Sequence, residues 1–231
     1  MKKFGICELS VLPVRKNPHS TNELVTQLLY GEIFYIIEKR EKWSKISNYY
    51  DKYEGWANNA QIKFINKKKF NSIKSNNSIY CIDISGYIID KNNEKTLTPI
   101  GSLVSSCDQL KSKYTGKSSV STKSNIIKTA KQYLNSPYLW GGRIPFGIDC
   151  SGLIRHSFLS WVPSGCNFKI AISTILSFEI SVPVVSRSKK QSGIESWSFI
   201  KCLGFNKEGF LPNFQDILQH VLRKGHQLLH L

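Results

Sequence analysis

The chain has 231 residues, of which 41% are hydrophobic and 12% aromatic, and this is enough apolar material to build a folded core. Its 32 basic and 16 acidic residues leave a net charge of +16, so the charge balance is strongly basic. No stretch approaches the roughly 18 consecutive apolar residues of a membrane-spanning helix, so no membrane span is expected.

The positive charge has two explanations. It is typical of a partner that is a polyanion, such as nucleic acid, but it also arises when lysines are scattered over a solvated surface. Lysine outnumbers arginine, and the only dense basic run is Lys67-Lys68-Lys69 beside Phe70. Readers of nucleic-acid grooves depend on arginine forks, so we favour the solvated surface and expect no nucleic-acid partner.

The first residues lack the pattern of a secretory signal, because the acid Glu8 follows Lys2 and Lys3 before any apolar stretch. The six cysteines lie far apart and form no CxxC pair; they are Cys7, Cys81, Cys107, Cys150, Cys166 and Cys202. Without an export signal they are interpreted as reduced thiols, and the predicted location is the cytoplasm.

Residues 10–65 predict a small β-barrel made of short strands. Apolar runs at 11–15, 24–29 and 33–38 are followed by period-two alternation at 43–47 and by a turn and strand at 51–57. Short strands with closely spaced turn signals are typical of such barrels. The expected core consists of Leu12, Val14, Ile36, Trp43, Ile46 and Trp56.

Residues 66–121 are interpreted as a connecting region with short strands, ending in a polar linker at 114–124. A helix is predicted over 126–134, because apolar residues at 126, 127, 130 and 134 share one helical face. Ser124 or Asn125 is the expected cap, and Pro137 follows the predicted end of the helix. The second domain is placed at 122–231.

The residues with the clearest chemistry lie at 136–156. Gly141-Gly142 and Gly147 indicate a tight loop, and Asp149-Cys150-Ser151-Gly152 indicates a loop that enters a helix. The first turn of a helix stabilises a thiolate, so Cys150 is a candidate nucleophile. From the residues alone, a buried structural cysteine remains an equal alternative.

This stretch resembles the NlpC/p60 family of papain-like cysteine peptidases. The Pro-Tyr-x-Trp-Gly-Gly loop is present at 137–142 and Asp-Cys-Ser-Gly-Leu at 149–153. The stretches 13–15, 23–32 and 51–56 resemble the bacterial SH3-like domain that precedes such peptidases in γ-D-glutamyl-L-diamino-acid endopeptidases. The resemblance implies an α+β fold, with an SH3-like barrel followed by a papain-like domain that is complete only if residues 159–231 build its remaining part.

The resemblance also implies amide hydrolysis in a peptidoglycan stem peptide. Cys150 would attack the carbonyl, while Tyr138, Asp149 and Ser151 would bind the free N-terminal end of the peptide. Glu23 and Tyr53 would reach in from the barrel, since a carboxylate suits an ammonium group. The structural alternatives are a solvated Glu23 and a Tyr53 that packs on a barrel turn.

The histidine base is harder to place, because the chain departs from the family pattern beyond residue 158. Only Gln219-His220-Val221 resembles the expected histidine strand, so His220 is the candidate base and His230 the candidate third residue. His156 lies six residues after Cys150 and is interpreted as a helix-surface or packing residue. No cofactor is expected, and the five histidines form no metal-binding motif.

A frameshift would explain this departure. Back-translation of 161–166 with one base skipped can give Gly-Phe-Pro-Ala-Asp-Ala, which is close to the missing family segment. The same shift gives Tyr-Leu-Glu-Lys-Gly at 221–225, which resembles the residues after the histidine strand. The nucleotide sequence tests this hypothesis.

Three functions follow from the sequence. The first is a cysteine endopeptidase that recycles cell-wall peptides, with weak or no turnover expected because the base is uncertain. The second is a catalytically impaired homologue that binds muropeptides through its SH3-like module. The third, a nucleic-acid binder, is supported only by net charge.

Overall fold

The computed structural model describes residues 3–120 and 125–159, and the N-terminal part of this range is dominated by one antiparallel sheet. Seven strands form it in the spatial order β3-β2-β6-β5-β4-β1-β7. Their bounds are β1 Phe4–Ile6, β2 Val11–Arg15, β3 Leu24–Leu29, β4 Ile33–Lys39, β5 Trp43–Asn48, β6 Glu54–Asn58 and β7 Lys63–Ile65.

The sheet encloses an apolar cluster supplied by strands from across its width. Buried members of the cluster are Cys7, Leu12, Val14, Leu28, Phe34, Ile46, Ala57 and Ile62. Four of the six expected core residues, Leu12, Val14, Ile46 and Trp56, are buried. Ile36 is half-buried but packs against this cluster, whereas Trp43 is half-buried because burial alternates along β5 and favours its neighbour Ser44.

The region after the sheet contains more regular structure than the sequence predicted. Helix α1 spans Lys67–Ser75, and the Asn66 side chain accepts a hydrogen bond from the Lys69 backbone to cap it. It was missed because only Phe70 and Ile73 are buried, so its apolar periodicity is weak.

Two small sheets follow α1. They comprise β8 Ile79–Cys81, β9 Ser85–Ile89, β10 Lys95–Pro99, β11 Lys113–Tyr114 and β12 Ser118–Val120, with the short helix α2 at Cys107–Leu110. β9 lies between β10 and β11, while β12 pairs with β8. The predicted linker at 114–124 is therefore wrong over 118–120, where backbone pairing supplies the order that its polar sequence did not indicate.

The remaining described elements carry the glycine-rich motif. Helix α3 spans Asn125–Gln132, the hairpin strands are β13 Arg143–Ile144 and β14 Gly147–Ile148, and helix α4 spans Cys150–Leu159. Helices α3 and α4 pack against each other. No helix in the described ranges is long and apolar enough to cross a membrane.

Candidate functional site

The site begins at the start of α4, which Asp149 caps. The Asp149 Oδ1 atom accepts hydrogen bonds from the Gly152 backbone N–H at 2.6 Å and from the Ser151 hydroxyl at 2.8 Å. The Asp149 carbonyl accepts the first helical bond, from Leu153, at 2.9 Å. This is an N-cap arrangement, in which a side chain accepts a hydrogen bond from an otherwise unpaired N–H group of the first helical turn. It makes Cys150 the first residue of the helix, as the sequence predicted.

The glycine-rich loop is folded back onto Asp149. The Gly141 backbone N–H donates to Asp149 Oδ2 at 2.9 Å, and the Asp149 N–H donates to the Gly142 carbonyl at 3.1 Å. Gly141 has a φ of +73°, and a Cβ there would collide with the Leu24 carbonyl of the barrel. The residue type at 141 therefore allows this loop to approach both α4 and the barrel closely.

Glu23 connects the barrel to the same loop. Its Oε1 atom accepts a hydrogen bond from the Trp140 indole N–H at 3.0 Å, across 117 residues of sequence. Its Oε2 atom lies 3.0 Å from the Lys16 ammonium. The Lys16 ion pair and the Trp140 hydrogen bond lower the pKa of Glu23, so it is a carboxylate at neutral pH. Glu23 is thus a positioned group, although 40% of its side chain is exposed to solvent.

Tyr53 lies near enough to both carboxylates for their charges to act on its hydroxyl. Burial raises the pKa of its hydroxyl, and the charges of Asp149 and Glu23 raise it further. Both carboxylates therefore act on one phenol, although Asp149 and Glu23 belong to different parts of the chain. Tyr53 is 42% exposed, and its backbone N–H donates to Asp51 Oδ1 in the preceding turn at 3.0 Å.

Asp149 keeps some capacity to bind a ligand. Burial raises its pKa above the usual 3.8, while hydrogen bonds from Gly152, Ser151 and Gly141 oppose that rise. A carboxylate has about four acceptor positions, and these donors use three of them. One position is left for a ligand N–H, and the Ser151 hydroxyl oxygen retains its own lone pairs.

A buried ionic network connects the barrel to the glycine-rich loop and to α4. Glu32, in the turn between β3 and β4, receives a two-pronged contact from Arg143, with both N–O distances at 2.8 Å. Arg155 of α4 contacts the same carboxylate at 2.9 Å and also pairs with Asp51. These side chains are between 2% and 6% exposed, so two carboxylates compensate two guanidinium groups inside the protein.

The two arginines of this network belong to the two segments that flank the Asp149–Cys150 peptide bond. Arg143 follows Gly142, whose carbonyl binds the Asp149 N–H, and the Arg143 backbone N–H donates to Gln27 Oε1 at 2.8 Å. Arg155 lies on α4 itself. The barrel therefore sets the position of the loop and the helix that flank Cys150.

His156 is part of the interior of this junction. It is 2% exposed, and its ring centroid lies 5.7 Å from that of Tyr133 with the rings tilted by 40°, which confirms the packing interpretation and excludes the helix surface. Burial and the charges of Arg143 and Arg155 lower its pKa well below the usual value, so the ring is neutral. Gly101, with a φ of +85°, leaves the room in which this imidazole sits.

The structure thus brings four of the predicted ligand-binding residues together: Glu23, Tyr53, Asp149 and Ser151. Tyr138 is adjacent in the backbone, where it forms a parallel bridge with Ile148, the residue before Asp149. His220 and His230 lie outside the described residues. Within the described part of the chain, no cluster of three or more metal-binding side chains occurs.

Several site residues had no assigned role in the sequence analysis. Trp140 was noted only as part of a motif, and Lys16, Glu32, Arg143 and Arg155 were not singled out. The pairing of Glu32 with Arg143 and Arg155 spans 111 and 123 residues, so no local spacing indicates it. The cross-strand position of Lys16 and Glu23 was a signal that could have been used.

Comparisons with known proteins identify a domain in the N-terminal part of the chain. Residues 14–62 match the family of bacterial dipeptidyl-peptidase SH3 domains. The chain is 49% identical to dipeptidyl-peptidase 6 of Lysinibacillus sphaericus over 37 residues, which are 16% of this chain and 14% of that protein. It is 47% identical to protein P54 of Enterococcus faecium over 34 residues, 15% of this chain and 7% of that protein.

A likeness to a solved structure covers more of the chain. The crystal structure of an NlpC/P60 family protein from Bacillus cereus ATCC 10987 superposes with a TM-score of 0.55 and 15% identity, over 69% of this chain and 74% of that one. The chain therefore has a mixed α and β fold like that of an NlpC/P60 protein, with a bacterial SH3 domain at its N-terminal end. This confirms the predicted fold class and the resemblance at the level of fold.

Proposed function

We propose that this protein is a cysteine peptidase that acts on peptidoglycan stem peptides with a free N-terminal amine and cleaves the γ-D-glutamyl–diamino acid bond. The observation that carries the proposal is that Glu23 and Asp149 bind neighbouring residues of one loop, Trp140 and Gly141, beside the helix that begins at Cys150. Two carboxylates at one place are suited to a ligand ammonium group, because charge-assisted hydrogen bonds are the strongest that side chains form.

The geometry of Asp149 supports this role in detail. Its remaining acceptor position and the lone pairs of Ser151 offer an ammonium two oxygen partners, and Glu23 and the Tyr53 oxygen offer two more. An ammonium has three N–H donors. The proposed pocket can therefore satisfy it fully, while an N-acylated peptide would bring a neutral amide with one donor and a bulky acyl group.

The requirement for a free amine places the protein after another reaction. A stem peptide whose first amine is acylated would need a reaction that frees this amine before it could bind. We therefore propose a role in recycling released peptides inside the cell.

The proposed chemistry starts at Cys150. The base takes the proton of the Cys150 thiol, and the thiolate attacks the carbonyl carbon of the γ-glutamyl bond. The protonated base then gives this proton to the leaving amine. Water finally hydrolyses the thioester and frees the thiol. The first turn of α4 favours the thiolate. His220 is the proposed base and His230 its orienting partner.

Release of L-Ala-γ-D-Glu from L-Ala-γ-D-Glu-diaminopimelate tests the proposal, with the N-acetylated peptide as matched substrate. We expect weak turnover of the free-amine peptide, lost in Cys150→Ala and in His220→Ala, and none of the acetylated peptide. Turnover of both peptides at equal rates would contradict the recognition of an ammonium. Turnover that survives Cys150→Ala would contradict the cysteine mechanism.

A second function, binding of such peptides without turnover, is favoured by one observation. Glu23, Tyr53, Asp149 and Ser151 make their contacts within residues 3–159, so the proposed ligand site does not draw on the candidate base. Calorimetric binding of the free-amine peptide to the unmodified chain, with no product detected, would identify this second function. Detection of product that depends on Cys150 would exclude it.

A further inference from the structure

Lys16 lies opposite Glu23 where the β2–β3 hairpin opens into its loop. Arg15 pairs with Leu24 in the strand register, and the next backbone contact is a hydrogen bond from the Lys16 N–H to the Glu23 carbonyl at 3.0 Å. The hairpin therefore fixes the two residues as cross-strand neighbours. The Lys16 ammonium and Glu23 Oε2 then lie 3.0 Å apart.

Both oxygens of the Glu23 carboxylate already have a donor in this structure. The Trp140 indole binds Oε1, and the Lys16 ammonium binds Oε2. The indole contact holds the glycine-rich loop against the barrel and does not compete in charge with a ligand. The Lys16 contact does compete, because it offers Glu23 the same chemical group that the N-terminus of a peptide would bring.

The two ammonium groups differ in how they are held. Lys16 reaches Glu23 from the outside of the hairpin, with 65% of its side chain exposed to solvent. A peptide N-terminus placed at Tyr53 would meet Glu23 and Asp149 together. An exposed ion pair is weak, whereas a cation that reaches Glu23 and Asp149 together has a second, less exposed carboxylate as a partner.

We propose that Lys16 competes with the substrate amine at this site, because its ammonium neutralises the Glu23 carboxylate to which the amine would bind. This inference rests on the proposed recognition of a free N-terminal amine. Lys16 weakens the binding of any cation at Glu23, while Asp149 remains available to a peptide amine that reaches both carboxylates. Lys16 thereby lowers the affinity of the site for peptide N-termini.

The test is calorimetric titration of L-Ala-γ-D-Glu-diaminopimelate into the full-length Cys150→Ala chain, with and without Lys16→Met. Methionine keeps the length of the side chain and removes its charge. We expect Lys16→Met to tighten binding about two- to fivefold at low salt, as for loss of a competing exposed pair, with the gain shrinking in 0.5 M salt. The gain should vanish when Glu23→Gln is added.

Lys63→Met is the matched control. Lys63 forms a comparable exposed ion pair with Glu8, also at 3.0 Å, on another part of the barrel. Its removal changes the net charge by the same amount as Lys16→Met. Because Lys63 pairs with Glu8 and not with Glu23, we expect Lys63→Met to leave peptide affinity unchanged. If Lys16→Met and Lys63→Met tightened peptide binding equally, the gain in affinity would come from the change in net charge alone, and the inference would be overturned.

The outcomes separate this inference from the function on which it rests. If the peptide binds, loses affinity on Glu23→Gln and is bound equally or more weakly by Lys16→Met, then Lys16 does not compete and only this inference is wrong. If the free-amine peptide binds no better than its N-acetylated form to any variant, then ammonium recognition fails and both are overturned.

Discussion

Replacing Glu32 by glutamine is expected to destabilise the protein strongly. The variant keeps the size of the side chain but removes one of two negative charges that compensate Arg143 and Arg155. Arg155 retains Asp51, while Arg143 loses its two-pronged carboxylate partner. Removing one partner of a buried ion pair costs about 3–5 kcal/mol, because the other charge stays desolvated.

The pKa of Glu32 gives an independent magnitude. Burial alone would raise it, but Arg143 and Arg155 lower it from 4.5 to about 2. This difference corresponds to about 3 kcal/mol, in line with the cost of breaking the pair. Because the folded-state pKa is depressed, the stabilisation is complete above the unfolded value near 4.5 and is lost as pH falls toward 2.

Thermal unfolding by calorimetry or circular dichroism measures the effect. For a chain of this size, 3–5 kcal/mol lowers Tm by about 6–20 °C at pH 7. The difference in Tm between the unmodified chain and Glu32→Gln should become smaller below about pH 4, because Glu32 begins to be protonated in the unfolded chain there. Glu38→Gln is the matched control, since Glu38 pairs with Arg40 on the surface and its loss costs about 0.5 kcal/mol or less.

A double variant tests charge balance itself. Adding Arg155→Met to Glu32→Gln leaves Arg143 and Asp51 as one buried charge of each sign, so the two substitutions should be less costly together than their sum. A Tm loss in Glu32→Gln no larger than in Glu38→Gln would refute the reasoning. So would a gap that stays constant between pH 7 and pH 3.

Three further predictions follow from the same geometry. Iodoacetamide at near-neutral pH should modify Cys150 before Cys7, Cys81 and Cys107, because those thiols are buried and burial raises their pKa values; peptide mass spectrometry measures the order, and equal labelling would remove the case for an activated thiol. Affinity for the free-amine peptide should fall as pH drops through the raised pKa of Asp149, and Asp149→Asn, which preserves the helix cap, should weaken binding and flatten this dependence; an unchanged pH profile in the variant would contradict the role of Asp149. Gly31→Ala should cost about 2 kcal/mol or more in unfolding free energy, because Gly31 has a φ of +83° and a Cβ would meet the Leu103 carbonyl; chemical denaturation measures it, and a loss under 0.5 kcal/mol would show that the turn can relax.

Local patterns in the sequence determined the central strands of the barrel and the two helices on either side of the glycine-rich loop. The alternation at 43–47 predicted β5, and the order Asp149-Cys150-Ser151-Gly152 predicted that a helix starts at Cys150. Both depend on interactions between residues at most a few positions apart: alternate faces of one strand, and a side chain that caps the third N–H of its own helix. The resemblance added Glu23, Tyr53 and Ser151 as ligand-binding residues, and the structure places them together with Asp149.

Tertiary structure alone decided how those elements are joined. Glu32 meets Arg143 and Arg155, Trp140 meets Glu23, and His156 is buried against Tyr133, all through chain folding that brings distant segments together. A lone charged residue in a sequence is most often solvated, so nothing near Glu32 shows that it is 3% exposed. The cost of burying such a charge is met only by partners more than 100 residues away, and periodicity and spacing carry no information about partners at that distance.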